Sequence, residues 1–182
     1  LYPFQNGDMS RESCEVQTAV LETTWGRVIV QVSAAGVVAC ELPVLAGPPA
    51  NPLRITRVQL PKKSTALARR ALRAAREMLA GNPVADMPPV DPVVFERASA
   101  FRRKIWRAMA AIPRGQTRTY GELARRAGHP GAARAAGGAC GANPAPLFLP
   151  CHRVLGVDGR LGGFSSGLAW KTHLLNAEGA RP

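Results

Sequence analysis

Thr119-Tyr120-Gly121-Glu122-Leu123-Ala124-Arg125-Arg126-Ala127-Gly128-His129-Pro130-Gly131-Ala132-Ala133-Arg134-Ala135-Ala136-Gly137-Gly138-Ala139 is the stretch that decides how the second half of the chain folds. Thr119 followed three residues later by Glu122 is a capping box, in which each side chain satisfies the other residue's free backbone amide at a helix start. The helix it opens stops around Gly128-His129-Pro130, and a second helix runs through Ala132, Ala133, Arg134, Ala135 and Ala136. Two short helices joined by a tight Gly/Pro turn predict a helix-turn-helix. The second helix, with Gly137 and Gly138 beyond those alanines, carries so little side chain that its backbone can approach a partner closely. Helix-helix packing and nucleic-acid binding both fit that feature.

Working outward, Phe101, Ile105, Met109 and Ile112 fall on one stripe of a helix that must end near Pro113. Pro83, Pro88, Pro89 and Pro92 mark a stiff linker and a domain boundary. Before it, Leu67, Ala71, Leu72, Ala75, Met78 and Leu79 recur at helical spacing, with arginines opposite and Gly81 as the stop. Residues 16–23, 28–32 and 37–42 are rich in β-branched side chains and are separated by turn signals, which predicts a small antiparallel meander. The proline-rich stretch 43–62 resists assignment. Residues 1–8 read as an expression remnant and stand outside the fold reading.

The 182 residues carry a formal net charge of +12, of which +10 belongs to residues 94–182. So one-sided a field suits a polyanionic partner, because Lys and Arg displace the counterions condensed on nucleic acid. Arginine-rich, alanine-rich composition offers the blander explanation. No apolar run approaches the roughly 20 residues needed to cross a membrane, so the expectation is a soluble intracellular protein with no membrane contact. The four cysteines, Cys14, Cys40, Cys140 and Cys151, form no Cys-x-x-Cys pair, and disulfides are not expected in a reducing compartment.

The chemistry concentrates in Pro150-Cys151-His152-Arg153-Val154. A thiolate attacks and a thiol does not, so a reactive cysteine needs a device that takes its proton, and an imidazole is the usual one. Adjacent residues on a strand face opposite ways, so His152 can serve Cys151 only if the backbone turns between them, and Pro150 favours such a turn. The alternative is a buried core thiol beside a surface histidine.

The wider pattern is specific. Asn143-Pro144 and the run through Val154 are followed by Gly162-Gly163-Phe164-Ser165-Ser166-Gly167-Leu168, Lys171, Leu174-Leu175 and Glu178-Gly179. They are preceded by Phe101, Trp106, Ile112-Pro113, Gly115, Thr117, Tyr120-Gly121-Glu122-Leu123-Ala124 and Ala133-Arg134-Ala135. Over about residues 95–179 this resembles the O6-alkylguanine-DNA alkyltransferase family, the suicidal repair proteins that move an alkyl group from guanine onto their own cysteine.

The resemblance implies a direct-reversal reaction on double-stranded DNA containing O6-alkylguanine, with O4-alkylthymine left open. Cys151 would accept the alkyl group. His152 would activate it through a water, Glu178 would hold the imidazole, and Asn143 would tie the second helix of the motif to the Cys151 segment. Tyr120 would donate to guanine N3, and Val154, Phe164, Ser165 and Ser166 would complete the alkylguanine pocket, Phe164 standing where many members carry tyrosine. Arg134 would occupy the gap left by the flipped base, with Thr119, Ala132, Ala133, Ala135, Gly137 and Arg153 also on DNA. Locally, Tyr120 reads equally well as a first-turn residue packed on the core, Arg134 as a phosphate contact, and Glu178 as an exposed helix end.

The fold expected is a two-domain α/β (α+β) architecture. A small N-terminal antiparallel sheet with a helix occupies 9–92, including the linker. A mainly helical, winged-helix-like domain with the helix-turn-helix occupies 93–182. The protein is expected to act as a monomer, with cooperative assembly on DNA open, in the nucleus or a bacterial cytoplasm. It is expected to use no cofactor. Some relatives hold a structural zinc in the first half; Cys14 matches one ligand, but Ser33 and Val38 stand where two others fall, so no metal is expected. A non-repairing helix-turn-helix module that recognises alkylated guanine is the main alternative, and a turning-over cysteine hydrolase a weaker one.

Overall fold

The computed structural model describes residues 15–180; the stretch 1–8 and Cys14 lie outside the described residues. Strands β1 (Gln17–Thr23), β2 (Gly26–Val32) and β3 (Val37–Glu41) form the expected antiparallel meander. Ala19, Leu21, Val28, Val30 and Val32 turn to the core, and the intervening residues are more exposed, as the two-residue period of a strand requires. A fourth strand, β4 (Ile55–Gln59), lies in the stretch that resisted assignment and pairs with β1, giving the order β3-β2-β1-β4. It escaped reading because it is a five-residue edge strand with Thr56, Arg57 and Val58 exposed, and its ladder depends on a partner more than thirty residues away.

Helix α1 (Ala66–Ala80) packs its Ala71, Leu72, Ala75, Met78 and Leu79 face inward. The Thr65 hydroxyl accepts from the Ala68 amide at its start, and Gly81 takes the left-handed conformation at its end. Pro92, expected within the linker, instead opens helix α2 (Pro92–Glu96), whose amide at Val93 is capped by Asp91. Proline suits a first helical turn because that amide has no partner to lose. Ser33 hydrogen-bonds Asp91, and Val38 sits half-buried in β3. Neither side chain offers a thiolate or imidazole.

Helix α3 (Ala100–Ala110) buries Ile105, Trp106 and Met109; full burial of each is worth about 1.5–3 kcal/mol. The helix-turn-helix follows as α4 (Tyr120–Arg126) and α5 (Ala133–Gly141), with the Thr119–Glu122 capping box formed in both directions. Trp106 Nε1 donates to the Ala139 carbonyl at 2.8 Å, tying α3 to α5. A short parallel pair, β5 (Arg118–Thr119) and β6 (Val154–Leu155), links the start of α4 to the segment after Cys151. Helix α6 (Leu168–Ala177) closes the described chain.

Two apolar cores meet at one segment. The first joins the sheet and α1 to Ala145, Leu147, Phe148, Trp170 and Leu174; the second gathers α3, α4 and α5 around Leu149, Cys151 and Val154. Residues 145–154 therefore thread from one core into the other, and packing on both sides holds Cys151 in place.

Candidate active site

Cys151 begins a single 3-10 turn, Cys151–Arg153, after Pro150. The chain therefore turns at Cys151 and His152 instead of running on as a strand. Asn143, at the end of α5, donates from Nδ2 to the Leu149 carbonyl at 2.6 Å and accepts the Ala145 amide on Oδ1 at 3.0 Å. It thereby clamps the chain on both sides of Phe148.

His152 is 1% exposed, and its Nε2 lies 3.0 Å from Glu178 Oε1. Glu178 is not the exposed helix end of the local reading: as the residue that closes α6, it points inward with its side chain 5% exposed. With Nε2–H donating to the carboxylate, Nδ1 is the ring's acceptor nitrogen, and it has no partner among the described residues. Burial raises the Glu178 carboxyl, but hydrogen bonds and charge from His152 and Arg153 outweigh it and bring it down to about 2. Burial lowers the His152 imidazole, against the pull of Glu178. The Cys151 thiol is pushed up by burial, with the Asn143 hydrogen bond and the Lys171 charge working against that.

Above Cys151 opens a cavity of about 560 Å³. One wall is α5, through Ala133, Arg134, Gly137, Cys140 and Gly141; the other is Tyr120 and the loop at Gly163, Phe164 and Ser165. Gly162 lies against Tyr120: a Cβ there would sit 3.0 Å from the phenol oxygen, and its φ of +66° favours glycine. Burial raises the Tyr120 phenol, which keeps it a donor at neutral pH.

Several expected residues stand elsewhere. Val154 is fully buried in the second core and does not line the cavity. Ser166 is buried, its backbone carbonyl accepting the Leu45 amide. Arg153, expected on DNA, turns inward: it forks onto Glu178 and donates Nη1 to the Ile112 carbonyl at 2.6 Å, leaving its side chain 12% exposed. The resemblance put it on DNA, but a carboxylate within the fold offers it a bidentate contact. The Thr119 hydroxyl is committed to the α4 cap. Arg134 and Ala135 are exposed on the outer face of α5, and Ala132, Ala133 and Gly137 are half-buried.

Two contributors were missed. Cys140 lines the same cavity as Cys151, with burial pushing its thiol up to about 12. Lys171, to which the sequence assigns no role, is fully buried. Its ammonium donates to the carbonyls of Val154, at 2.6 Å, and Leu161, and lies 5.8 Å from the Tyr120 ring centroid. Its neighbours Trp170, Thr172, His173 and Leu174 mix polar with apolar residues and gave no local signal of this burial; a buried charge must be paired, and the partners come from elsewhere in the chain.

Fold and site together define a helix-turn-helix protein whose second helix walls a thiol-floored cavity backed by a histidine–glutamate pair. A family described as the DNA-binding domain of 6-O-methylguanine DNA methyltransferase matches residues 100–180. A methylated-DNA–protein-cysteine methyltransferase of Mycolicibacterium paratuberculosis is 45% identical over 109 residues, 60% of this chain and 66% of the relative. One from Methanosarcina acetivorans is 40% identical over 108 residues, 59% of this chain and 69% of the relative. A crystal structure of Mycobacterium tuberculosis OGT in complex with DNA superposes with a TM-score of 0.69 at 28% identity, covering 88% of this chain and 91% of that one. The chain belongs to the methylated-DNA–protein-cysteine methyltransferase family. The matched stretch spans about two thirds of the first relatives' length, and 52% of one from Mycobacterium bovis.

Proposed function

We propose that the protein repairs DNA by direct reversal, taking the alkyl group of O6-alkylguanine, and as a second candidate O4-alkylthymine, onto Cys151 Sγ. The observation that carries this reading is Cys151 at the floor of a cavity walled by α5, with His152 and Glu178 3.0 Å apart behind it. The alkyl carbon is hidden in a stacked duplex, so the nucleotide must be flipped out at a cost of a few kcal/mol. The exposed side of α5, with Arg134 and the small Ala135, enters the groove, Ala133 and Gly137 keep the helix slim on the cavity side, and the Arg134 guanidinium fills the gap.

In the transfer, the Cys151 S–H proton passes to His152 Nδ1 through one water, and Glu178 stabilises the imidazolium. The thiolate attacks the alkyl carbon, an S–C bond forms, the C–O6 bond breaks, and its electron pair goes to the guanine, which takes up a proton in place of the alkyl group while the imidazolium gives its own back to water. The Tyr120 hydroxyl donates to guanine N3 as that charge develops, and Ser165 contacts O6. A thioether has no labile bond, so each molecule works once, and the balance closes without a metal or organic cofactor. The active unit is a monomer, loading singly or cooperatively on DNA inside the cell.

The test is incubation with a duplex containing O6-methylguanine, followed by mass analysis. The expected result is a stoichiometric gain of one methylene at position 151, abolished by Cys151→Ala. Binding without an adduct identifies a non-repairing module, and multiple turnover identifies a hydrolase; either overturns the reading. Arg134→Ala should impair transfer from duplex and spare transfer from the free base, whereas a simple loss of affinity marks a phosphate contact.

A further inference from the structure

We propose that Arg153 is a positioning residue of the transfer site, its guanidinium holding the Glu178 carboxylate in the orientation that fixes the His152 ring. The inference rests on the reading of Cys151 as alkyl acceptor.

Three of the guanidinium nitrogens are spent within the fold. Nε donates to Glu178 Oε2 at 2.9 Å, Nη2 to Oε1 at 2.8 Å, and Nη1 to the Ile112 carbonyl at 2.6 Å. The first two form the planar fork-on-carboxylate pair, which fixes the plane as well as the place of the acid. The Ile112 carbonyl, just past the end of α3, anchors the fork from the other side. Each carboxylate oxygen then has one further contact: Oε1 with His152 Nε2 at 3.0 Å, and Oε2 with the Gly115 amide at 3.3 Å. With the oxygen held, the ring has one orientation and one tautomer, Nε2 protonated and Nδ1 accepting.

Charge gives this role its own signature. The groups facing His152 are Glu178 at the end of α6, Lys171 from the body of α6, Arg153 on the same turn, and the neighbouring Cys151. After burial, which lowers the imidazole most, Glu178 raises it while Arg153 and Lys171 lower it. Arg153 therefore restrains the pull of its own partner and keeps the imidazole neutral, ready to accept a proton. Removing that positive charge leaves burial and the more weakly acting Lys171 as the only opposition to Glu178, so His152 holds its proton to higher pH and the acid limb of the transfer rate moves up.

The test compares Arg153→Met and Arg153→Lys in the full chain by two readouts. One is the NMR titration of the His152 ring, which needs no substrate; the other is the single-turnover transfer rate from an O6-methylguanine duplex against pH. Arg153→Met should move both the titration and the acid limb to higher pH and cut the plateau rate by about 10–100-fold, the loss typical when the partner orienting a functional histidine goes. Arg153→Lys keeps the charge and loses the fork, so its limb stays near that of the wild type while its plateau falls; it carries the test if the methionine variant does not fold. Unchanged titration and limb in a folded Arg153→Met protein overturn the inference. So does a loss confined to duplex affinity, which would return Arg153 to a phosphate. A wild type that forms no Cys151 adduct would instead sink the proposed function, with the His152 titration still reporting on Arg153.

Discussion

Replacing Glu178 by glutamine keeps the side chain's shape and removes its charge. On folding, the carboxyl goes from 4.5 to about 2: burial opposes the shift, but the hydrogen bonds and charges of His152 and Arg153 win. At about 1.4 kcal/mol per pKa unit this is worth about 3 kcal/mol, and solvent screening at the open side of the Arg153 pair brings it to about 2 kcal/mol. Stranding a largely buried guanidinium opposite a neutral amide adds to that, for about 3 kcal/mol in all. In a chain of this size the expected fall in Tm is about 6–12 °C at neutral pH. Because the folded pKa is depressed, the stabilisation is complete above the unfolded value of 4.5 and is lost as pH falls from there towards about 2. Thermal melts of wild type and Glu178→Gln across that range should show a gap that is full near neutrality and narrows in acid. No gap at neutral pH, or one that persists undiminished near the bottom of the range, would refute the account of Glu178 as a shared, ionised anchor.

Two further substitutions probe the cavity walls. Gly162→Ala puts a methyl 3.0 Å from the Tyr120 hydroxyl at a φ of +66°, so a loss of about 1–2 kcal/mol from the backbone conformation and slower alkyl transfer are expected. Urea melts and single-turnover rates matching wild type would contradict the tight seat of that loop. Lys171→Met strands the Val154 and Leu161 carbonyls, at about 1–3 kcal/mol each. It also removes a positive charge that eases the Cys151 thiol downward, so labelling by a thiol reagent should need higher pH than in wild type, and an unchanged labelling profile would exclude that electrostatic role.

The helix-turn-helix was legible because its signals are local. Thr119 and Glu122 are three residues apart and satisfy each other's amides whatever else the chain does, and the Gly/Pro turn needs no distant partner. The same holds for the Pro150 turn, the α1 stripe and the meander. Cys151, His152 and Glu178 were singled out through the motif pattern, and the fold brings His152 and Glu178 to 3.0 Å. What escaped depends on residues far apart in sequence. β4 exists through its ladder to β1, and the buried Lys171 is tolerated through two carbonyls supplied by the segment after Cys151.

The fate of Arg153 marks the division. Order and spacing of residues sufficed to place the capped helices of the helix-turn-helix and the turn at Pro150, because turns, caps and periodic apolar faces are set by neighbours along the chain. Which of two uses an arginine serves, and whether Val154 and Ser166 face a cavity or a core, was decided by packing. A guanidinium pairs with whichever carboxylate the folded chain brings into its plane, and only the convergence of α3, the Cys151 turn and the end of α6 put Glu178 there.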